Sequence, residues 1–380
     1  MFEPSLAVQR IVANSERPSR RPGPGVISLG SGDPDFETPE YIRQALVDAV
    51  AAGYTHYSDG QGDPELRAAL AAIASQQGGS VITPEQVMVT HGGSAALTGA
   101  IVGVVNPGER VLIPEPTYSL YADLTRMIGA DPVFIPQTVD FHLDLDAIEA
   151  EAAKEAKLLV LCHPCNPTGV IYRDDELQAL GRMAQKHDFF VLADEAYDHI
   201  VFGGHPFTST LAIEELRSRL IYCQTFSKTY AMTGWRIGYL VAPGPVTSAA
   251  ARIHRTLIGP MNSALQRAAL AAVTIESDWP ERMRVEYEAR RELVMELMAD
   301  VPGVSIRPPD GAFYAFIRYE GNTPPTEVVS AALDRGVAIR GGTEYGPTGA
   351  GYVRVAFATD RKNLTEGLLR LRSVLAVVTS

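Results

Sequence analysis

Leu220-Ile-Tyr-Cys-Gln-Thr-Phe-Ser-Lys228-Thr-Tyr-Ala-Met-Thr-Gly-Trp-Arg236-Ile-Gly-Tyr-Leu240 is the stretch around which the rest of the chain is arranged. A short apolar run at 220–223 leads through Thr225 and Ser227 to Lys228, and Arg236 leads into a second apolar run at 237–241. Both runs read as strands. The chain has five lysines, at 154, 157, 186, 228 and 362, and Lys228 keeps the most apolar company. Apolar surroundings or adjacent cations lower a lysine's pKa, and neutral lysine amines form Schiff bases with carbonyls. The competing explanation is a sheet-edge lysine with a buried stem and a wet ammonium. This stretch alone leaves both open.

Upstream, apolar runs alternate with helix-length segments. Strands are expected at 26–29, 87–90, 110–113, 132–135, 158–162 and 189–193, with helices near 39–52, 64–76, 118–128, 143–156 and 174–187. Thr38 is expected to cap the first of these helices at Pro39, and Asp63 the second at Pro64. Strands separated by helices of this length form βαβ units and a mostly parallel sheet. The runs 157–162 and 188–193 are apolar throughout, as in strands covered on both faces.

After helices near 246–258 and 263–276, a charged helix at about 280–300 reads as a connector. Strand-like runs at 304–307, 312–318, 337–340 and 352–358, with helices near 325–335 and 361–376, then make a smaller α+β unit. Residues 1–25, with four prolines, read as a loose N-terminal arm. The fold class is therefore α/β, with a large domain over 46–280 and a small domain built from 1–45 and 281–380.

With 380 residues, 46% of them hydrophobic, the chain has ample material for such a core. A formal charge of −12 argues against nucleic acid or an anionic membrane as partner. No apolar run is long enough to span a bilayer, and no secretory signal is expected at the N-terminus. Three cysteines (162, 165, 223) suit a reducing cytoplasm, and the Cys162-x-x-Cys165 pair lacks the second ligand pair that a zinc site needs.

In a doubly wound sheet, ligands bind beyond the carboxyl ends of the strands. Gly92-Gly93-Ser94-Ala95 ends one strand and opens one helix, a geometry that serves either as a phosphate cradle of backbone amides or as a plain tight turn. Asn166, Asp194, Tyr197, Lys228 and Arg236 fall at the ends of consecutive strands. An amide, a carboxylate, a phenol, an amine and a guanidinium seldom gather there by chance.

Asn166-Pro-Thr-Gly, Asp194-Glu-Ala-Tyr197, Ser227-Lys228 and Gly234-Trp-Arg236-Ile-Gly together resemble the class I/II aminotransferases, which use pyridoxal phosphate on the fold-type I scaffold. The resemblance runs from about Leu29 to the C-terminus. It implies a mostly parallel seven-stranded sheet and a homodimer. Lys228 would carry the cofactor covalently and move the substrate proton. Asp194 would pair with the pyridine nitrogen, while Asn166 and Tyr197 would bond the phenolic oxygen. Arg236, Ser227, Thr225 and the amides of Gly93, Ser94 and Ala95 would hold the phosphate, and Tyr118 would stack on the ring. Tyr57 would reach the phosphate of a second subunit. Arg354, in Tyr-Val-Arg-Val-Ala, would grip the substrate α-carboxylate, for which a guanidinium fork is suited, and Gly32 would bring its backbone close to that carboxylate.

The chain also departs from its relatives. Some aspartate-specific members carry a lysine where this chain has Ser94, and often a glutamine where it has Ala95. Arg17, Arg21, Arg126, Arg255 or Arg340 are the candidates to replace that lysine over a distal carboxylate. Arg340-Gly-Gly-Thr-Glu-Tyr-Gly stands where relatives often have Pro-Gly-x-x-Phe-Gly, and is expected to shape the side-chain pocket. The function implied is transfer of an amino group from an L-amino acid to a 2-oxo acid by a ping-pong mechanism. The rivals are β-elimination by a C–S lyase, cyclopropane-forming synthase chemistry, and a non-catalytic regulatory domain, which an acidic chain with so short a leader before residue 26 disfavours.

Overall fold

The computed structural model describes residues 2–13 and 23–379; Arg17 and Arg21 lie outside them. Its strands, in chain order, are β1 (Ile27–Ser28), β2 (Val87–Thr90), β3 (Arg110–Glu115), β4 (Asp131–Pro136), β5 (Ala156–Cys162), β6 (Phe190–Asp194), β7 (Leu220–Thr225), β8 (Gly238–Val241), β9 (Val304–Ile306), β10 (Tyr314–Tyr319), β11 (Val337–Ala338), β12 (Arg340–Gly341) and β13 (Tyr352–Ala356). A seven-stranded sheet has the order β2-β8-β7-β6-β5-β3-β4. It is parallel except for β8, which runs antiparallel to β2 and β7. Because β8 runs backwards, its start lies at the same edge as the ends of its neighbours, and this brings Arg236 to the edge that carries Lys228.

The central strands are apolar on both faces because helices cover both sides. Leu158, Leu159, Val191 and Leu192 are fully buried, and each such side chain contributes about 2 kcal/mol by leaving water. A second hydrophobic cluster joins β10, β13, the long helix Trp279–Met298 and the last helix Arg361–Val378. Leu29, Tyr197, Ile200 and Phe202 pack into this cluster, whereas Ile42 packs with the large sheet. The four-stranded sheet has the order β12-β13-β10-β9, with neighbours antiparallel.

Local sequence explains most boundaries. Asp63 accepts hydrogen bonds from the amides of Glu65 and Leu66, Pro64 takes the first helical position, and Gly79 closes the helix in the left-handed region. Three expectations need correction. The first helix begins at Glu40, and the buried Thr38 does not cap it but donates to the carbonyl of Ala231, 2.7 Å away. The run 337–340 is not one strand: β11 pairs parallel with β1, and after the buried Ile339 the chain changes sheet so that β12 pairs with β13. The segment 143–156 is helical only over Leu145–Ala152, because Glu155 adopts φ 63° and turns the chain into β5. Among the described residues, no helix is long and apolar enough to cross a membrane, and no cluster of metal-ligating side chains occurs.

Candidate active site

The carboxyl edge of the large sheet and the facing edge of the small one enclose a cleft of about 440 Å³. Gly32, Gly93, Ser94, Tyr118, Asn166, Asp194, Tyr197, Thr225, Ser227, Lys228, Arg236 and Arg354 all line it. Ala95 does not, and its amide is spent on the carbonyl of Gly92. Tyr57 also lies outside its own cleft, 92% exposed.

Lys228 sits in a short helical turn directly after β7, where Thr225 caps the chain by accepting from the Ser227 amide. Its Nζ donates to the carbonyl of Gly32 at 2.6 Å. Burial lowers its pKa from 10.5 to about 8, with Asp33 and Asp194 opposing the shift and Arg354 and Arg236 assisting it. Asp194, at the end of β6, accepts from Tyr121 Oη at 2.8 Å and from the Ala196 amide at 3.3 Å. Burial raises its carboxyl pKa, against these two bonds and the Lys228 charge.

The anion-binding end is built from close approaches. The helix Gly93–Val104 starts at the cleft, so its first amides and the positive end of its dipole point there. Gly92 has φ 77°, and a Cβ there would come within 2.8 Å of Arg236 Nη2. A Cβ on Gly238 would meet the Gln224 carbonyl at 2.7 Å and the Gly93 amide nitrogen at 2.8 Å, so only glycine lets β8 start beside the turn. Thr225 Oγ1 donates to Ser227 Oγ at 2.8 Å, which sets two hydroxyls beside that helix start.

At the other end, Arg354 is buried on β13, between β12 and β10, and is no edge residue. It donates to Asn166 Oδ1 at 2.9 Å and to the Gly30 carbonyl at 2.6 Å, while its buried Nε has no partner. Its guanidinium lies over the rings of Tyr314 (4.2 Å) and Tyr345 (5.0 Å).

Two tyrosines of the site are missing from the sequence reading. Tyr121 holds Asp194, and Tyr314 Oη shares a 2.9 Å hydrogen bond with Tyr197 Oη. Tyr314 also explains Gly32, where a Cβ would stand 2.0 Å from its hydroxyl. No periodicity marks either tyrosine, since each is a buried core residue whose hydroxyl is hydrogen-bonded across a long sequence gap.

Residues 24–371 match the family model for aminotransferase class I and II. The chain belongs to this family. It is 33% identical to an aspartate aminotransferase of Streptomyces avermitilis, over 93% of this chain and 90% of that one. It is 34% identical to aromatic-amino-acid aminotransferase 2 of Thermococcus litoralis, over 92% of each. Among solved structures, a tetra mutant of Thermus thermophilus aspartate aminotransferase superposes with a TM-score of 0.89 at 32% identity, covering 99% of this chain and all of that one. The protein is thus an enzyme, an aminotransferase of fold type I.

One buried carboxyl in this aminotransferase lies just behind the cleft. Glu195 is fully buried, and its Oε1 accepts from the amide and hydroxyl of Thr210, both at 2.6 Å, while Oε2 is unpartnered. Burial pushes its pKa up to about 8. Between about pH 4.5 and 8 the unfolded chain releases this proton and the folded chain keeps it, so stability falls as pH rises through that window. Glu195→Gln, an isostere of the protonated acid, should therefore raise Tm by a few degrees at about pH 8.5 and have little effect near pH 5. Equal Tm differences at both pH values in thermal melts would show that Glu195 is ionised in the fold.

Proposed function

We infer that this aminotransferase works with pyridoxal phosphate and passes the amino group of an L-amino acid to a 2-oxo acid in a ping-pong cycle. The observation that carries this reading is the placement of the Lys228 amine in one cleft with an anion cradle, a buried carboxylate and a buried guanidinium. The donor set fits the cofactor: the helix start at Gly93 and Ser94, the hydroxyls of Thr225 and Ser227, and Arg236 suit a phosphate. Asp194, held by Tyr121 and Ala196, suits a protonated pyridine nitrogen. When bound, the cofactor supplies an aldehyde for amines and a ring that draws electrons from the substrate Cα.

The chain's own residues do the rest. Lys228 would carry the group, and its freed amine would take the Cα proton and return it. Asn166, whose Oδ1 is engaged by Arg354, keeps its NH2 for the phenolic oxygen, and Tyr197 would donate beside it. Tyr118 would cover one face of the ring, and Arg354 would hold the substrate α-carboxylate with the help of its unpartnered Nε.

The exposed Tyr57 supports a homodimer in which it completes the phosphate site of a second copy. Its loop is tied down by bonds from Ser58 to the Met261 carbonyl and from Ser263 to the carbonyls of Tyr54 and His56. Val47, Val50, Leu257 and Ile258 are exposed apolar side chains near it in sequence or through these ties. Three buried free cysteines are compatible with a cytoplasmic enzyme. The two-domain division at about residues 45 and 280 belongs to the same proposal.

The test is the visible absorption of the purified protein. A visible band that single L-amino acids bleach and a 2-oxo acid restores is the expected result. No band after addition of pyridoxal phosphate would sink the reading, and release of ammonia and pyruvate from a cysteine conjugate without an acceptor would replace it with a lyase.

A further inference from the structure

Arg340 and Arg354 are direct cross-strand partners in the β12–β13 ladder. Like charges in that relation repel. Both side chains nevertheless enter the same cleft and converge on one acceptor: Arg354 Nη2 is 2.6 Å and Arg340 Nε 3.3 Å from the Gly30 carbonyl. The two hydrogen bonds of Arg354 go to neutral groups, Asn166 and Gly30, its guanidinium lies over two phenol rings, and its Nε is unpartnered. Arg340 differs, because Glu344 Oε2 lies 3.4 Å from its Nη1. A pair of guanidiniums brought together against their own repulsion, with one internal carboxylate between them, is an arrangement for two anionic groups on one small molecule.

Glu344 also has somewhere to go. Its side chain is only 7% exposed, yet it lines both the main cleft and an adjoining side cavity of about 270 Å³. Tyr118 and Tyr345 form the shared wall, and Arg126 lines the side cavity. Among the described residues, the carboxylate paired with Arg126 is that of Asp123, 4.0 Å away, and a carboxylate that turns into this cavity would meet a cation there.

Resting on the assignment of Arg354 to the α-carboxylate, we propose that Arg340 binds a second, side-chain carboxylate of the substrate, and that Glu344 is its exchangeable internal counter-ion. A ping-pong enzyme must accept two substrates with different side chains in one cleft. A dicarboxylic substrate displaces Glu344 from Arg340, and Glu344 turns toward the side cavity. A substrate with an uncharged side chain leaves Glu344 in place, so no guanidinium is stranded without a partner. Among the described candidates to replace the missing lysine at position 94, which are Arg126, Arg255 and Arg340, Arg340 is the one that lines the cleft beside Arg354. Arg126 lines only the side cavity, and Arg255 lies by Gly60 at another depression.

The alternative role for this pair is structural, an i,i+4 ion pair that pins the turn after β12. Titration of the cofactor-loaded enzyme with two unreactive acids, succinate and butyrate, separates the two roles, with heat of binding and the shift in Tm as readouts. The quantity to compare is the ratio of succinate to butyrate affinity. Arg340→Met should lower that ratio about 10²-fold, the scale of one lost charge-assisted fork. Glu344→Gln should raise it several-fold, because succinate no longer competes with an internal carboxylate. A ratio unmoved by Arg340→Met, or lowered by Glu344→Gln, overturns the proposal; if Arg340→Met does not fold, the Glu344→Gln ratio decides. Failure of the underlying reading looks different, since wild-type protein would then show neither the visible band nor butyrate binding.

Discussion

Lys228→Ala is expected to reduce transamination by at least about 10⁴-fold and to remove the visible band that responds to amino acids. Under the proposed function two roles would disappear with one side chain, the attachment of the cofactor and the transfer of the Cα proton, and no other lysine lines the cleft. The cofactor would still bind through its phosphate end, so the variant should retain the compound without linking to it. Near-normal turnover in the variant would remove the central residue from the reading.

The ionisation of Lys228 gives this result a pH dimension. Burial brings the amine down to about 8 in the cofactor-free protein, and only the neutral amine attacks an aldehyde. The rate of cofactor capture should rise about tenfold per pH unit below 8 and level off above it. The linked stability has the matching sign. Between about pH 8 and 10.5 the unfolded chain binds the proton and the folded chain does not, so stability rises with pH there, while below 8 the full burial cost applies. Lys228→Met keeps the packing and removes the charge, and should make cofactor-free protein more stable at pH 7, by on the order of 3 kcal/mol at most. A function that costs the empty fold stability is the usual signature of a catalytic group.

How much of this was legible follows from what each signal depends on. The strands 158–162 and 189–193 were legible because a strand covered on both faces must be apolar throughout, and β5 is buried from Leu158 to Cys162. Lys228, Asp194 and Asn166 could be grouped because parallel strands deliver their ends to one edge, whereas Arg236 reaches that edge at the start of the antiparallel β8. Arg354 was legible only through its resemblance to a motif. Local sequence allows an edge strand there, and burial between β12 and β10 depends on pairings as distant as Arg340 with Arg354 and Phe316 with Arg354. Thr38 was misread because a threonine before proline is a good cap by local rules, yet the carbonyl of Ala231, 193 residues away, took its hydroxyl. Tyr121 and Tyr314 left no trace, because a buried tyrosine in the core and a buried tyrosine bonded to a carboxylate or phenol of the cleft have the same neighbours in sequence. The tilt of Arg340 into the cleft was equally hidden, since it depends on the chain changing sheets at Ile339.

Arg354→Lys should lower kcat/KM for every amino-acid substrate by about 10²–10³-fold, with the visible band intact. The arginine makes two directed bonds, to Asn166 and to the Gly30 carbonyl, while its plane rests on Tyr314 at 4.2 Å. A lysine ammonium is a point charge on a flexible stem and cannot satisfy both acceptors and still present a planar fork to a carboxylate. In the proposed role Arg354 would hold the α-carboxylate in the ground state and in the transition state alike, so most of the loss should fall on KM. A smaller loss in kcat should follow from Asn166, whose Oδ1 would lose its donor and whose NH2 would drift from the phenolic oxygen. A variant with the band present and kcat/KM within threefold of wild type would place the α-carboxylate elsewhere. Charge alone does not account for the choice of arginine here, since lysine is also cationic at neutral pH; the fork, the ring beneath it and the amide beside it do.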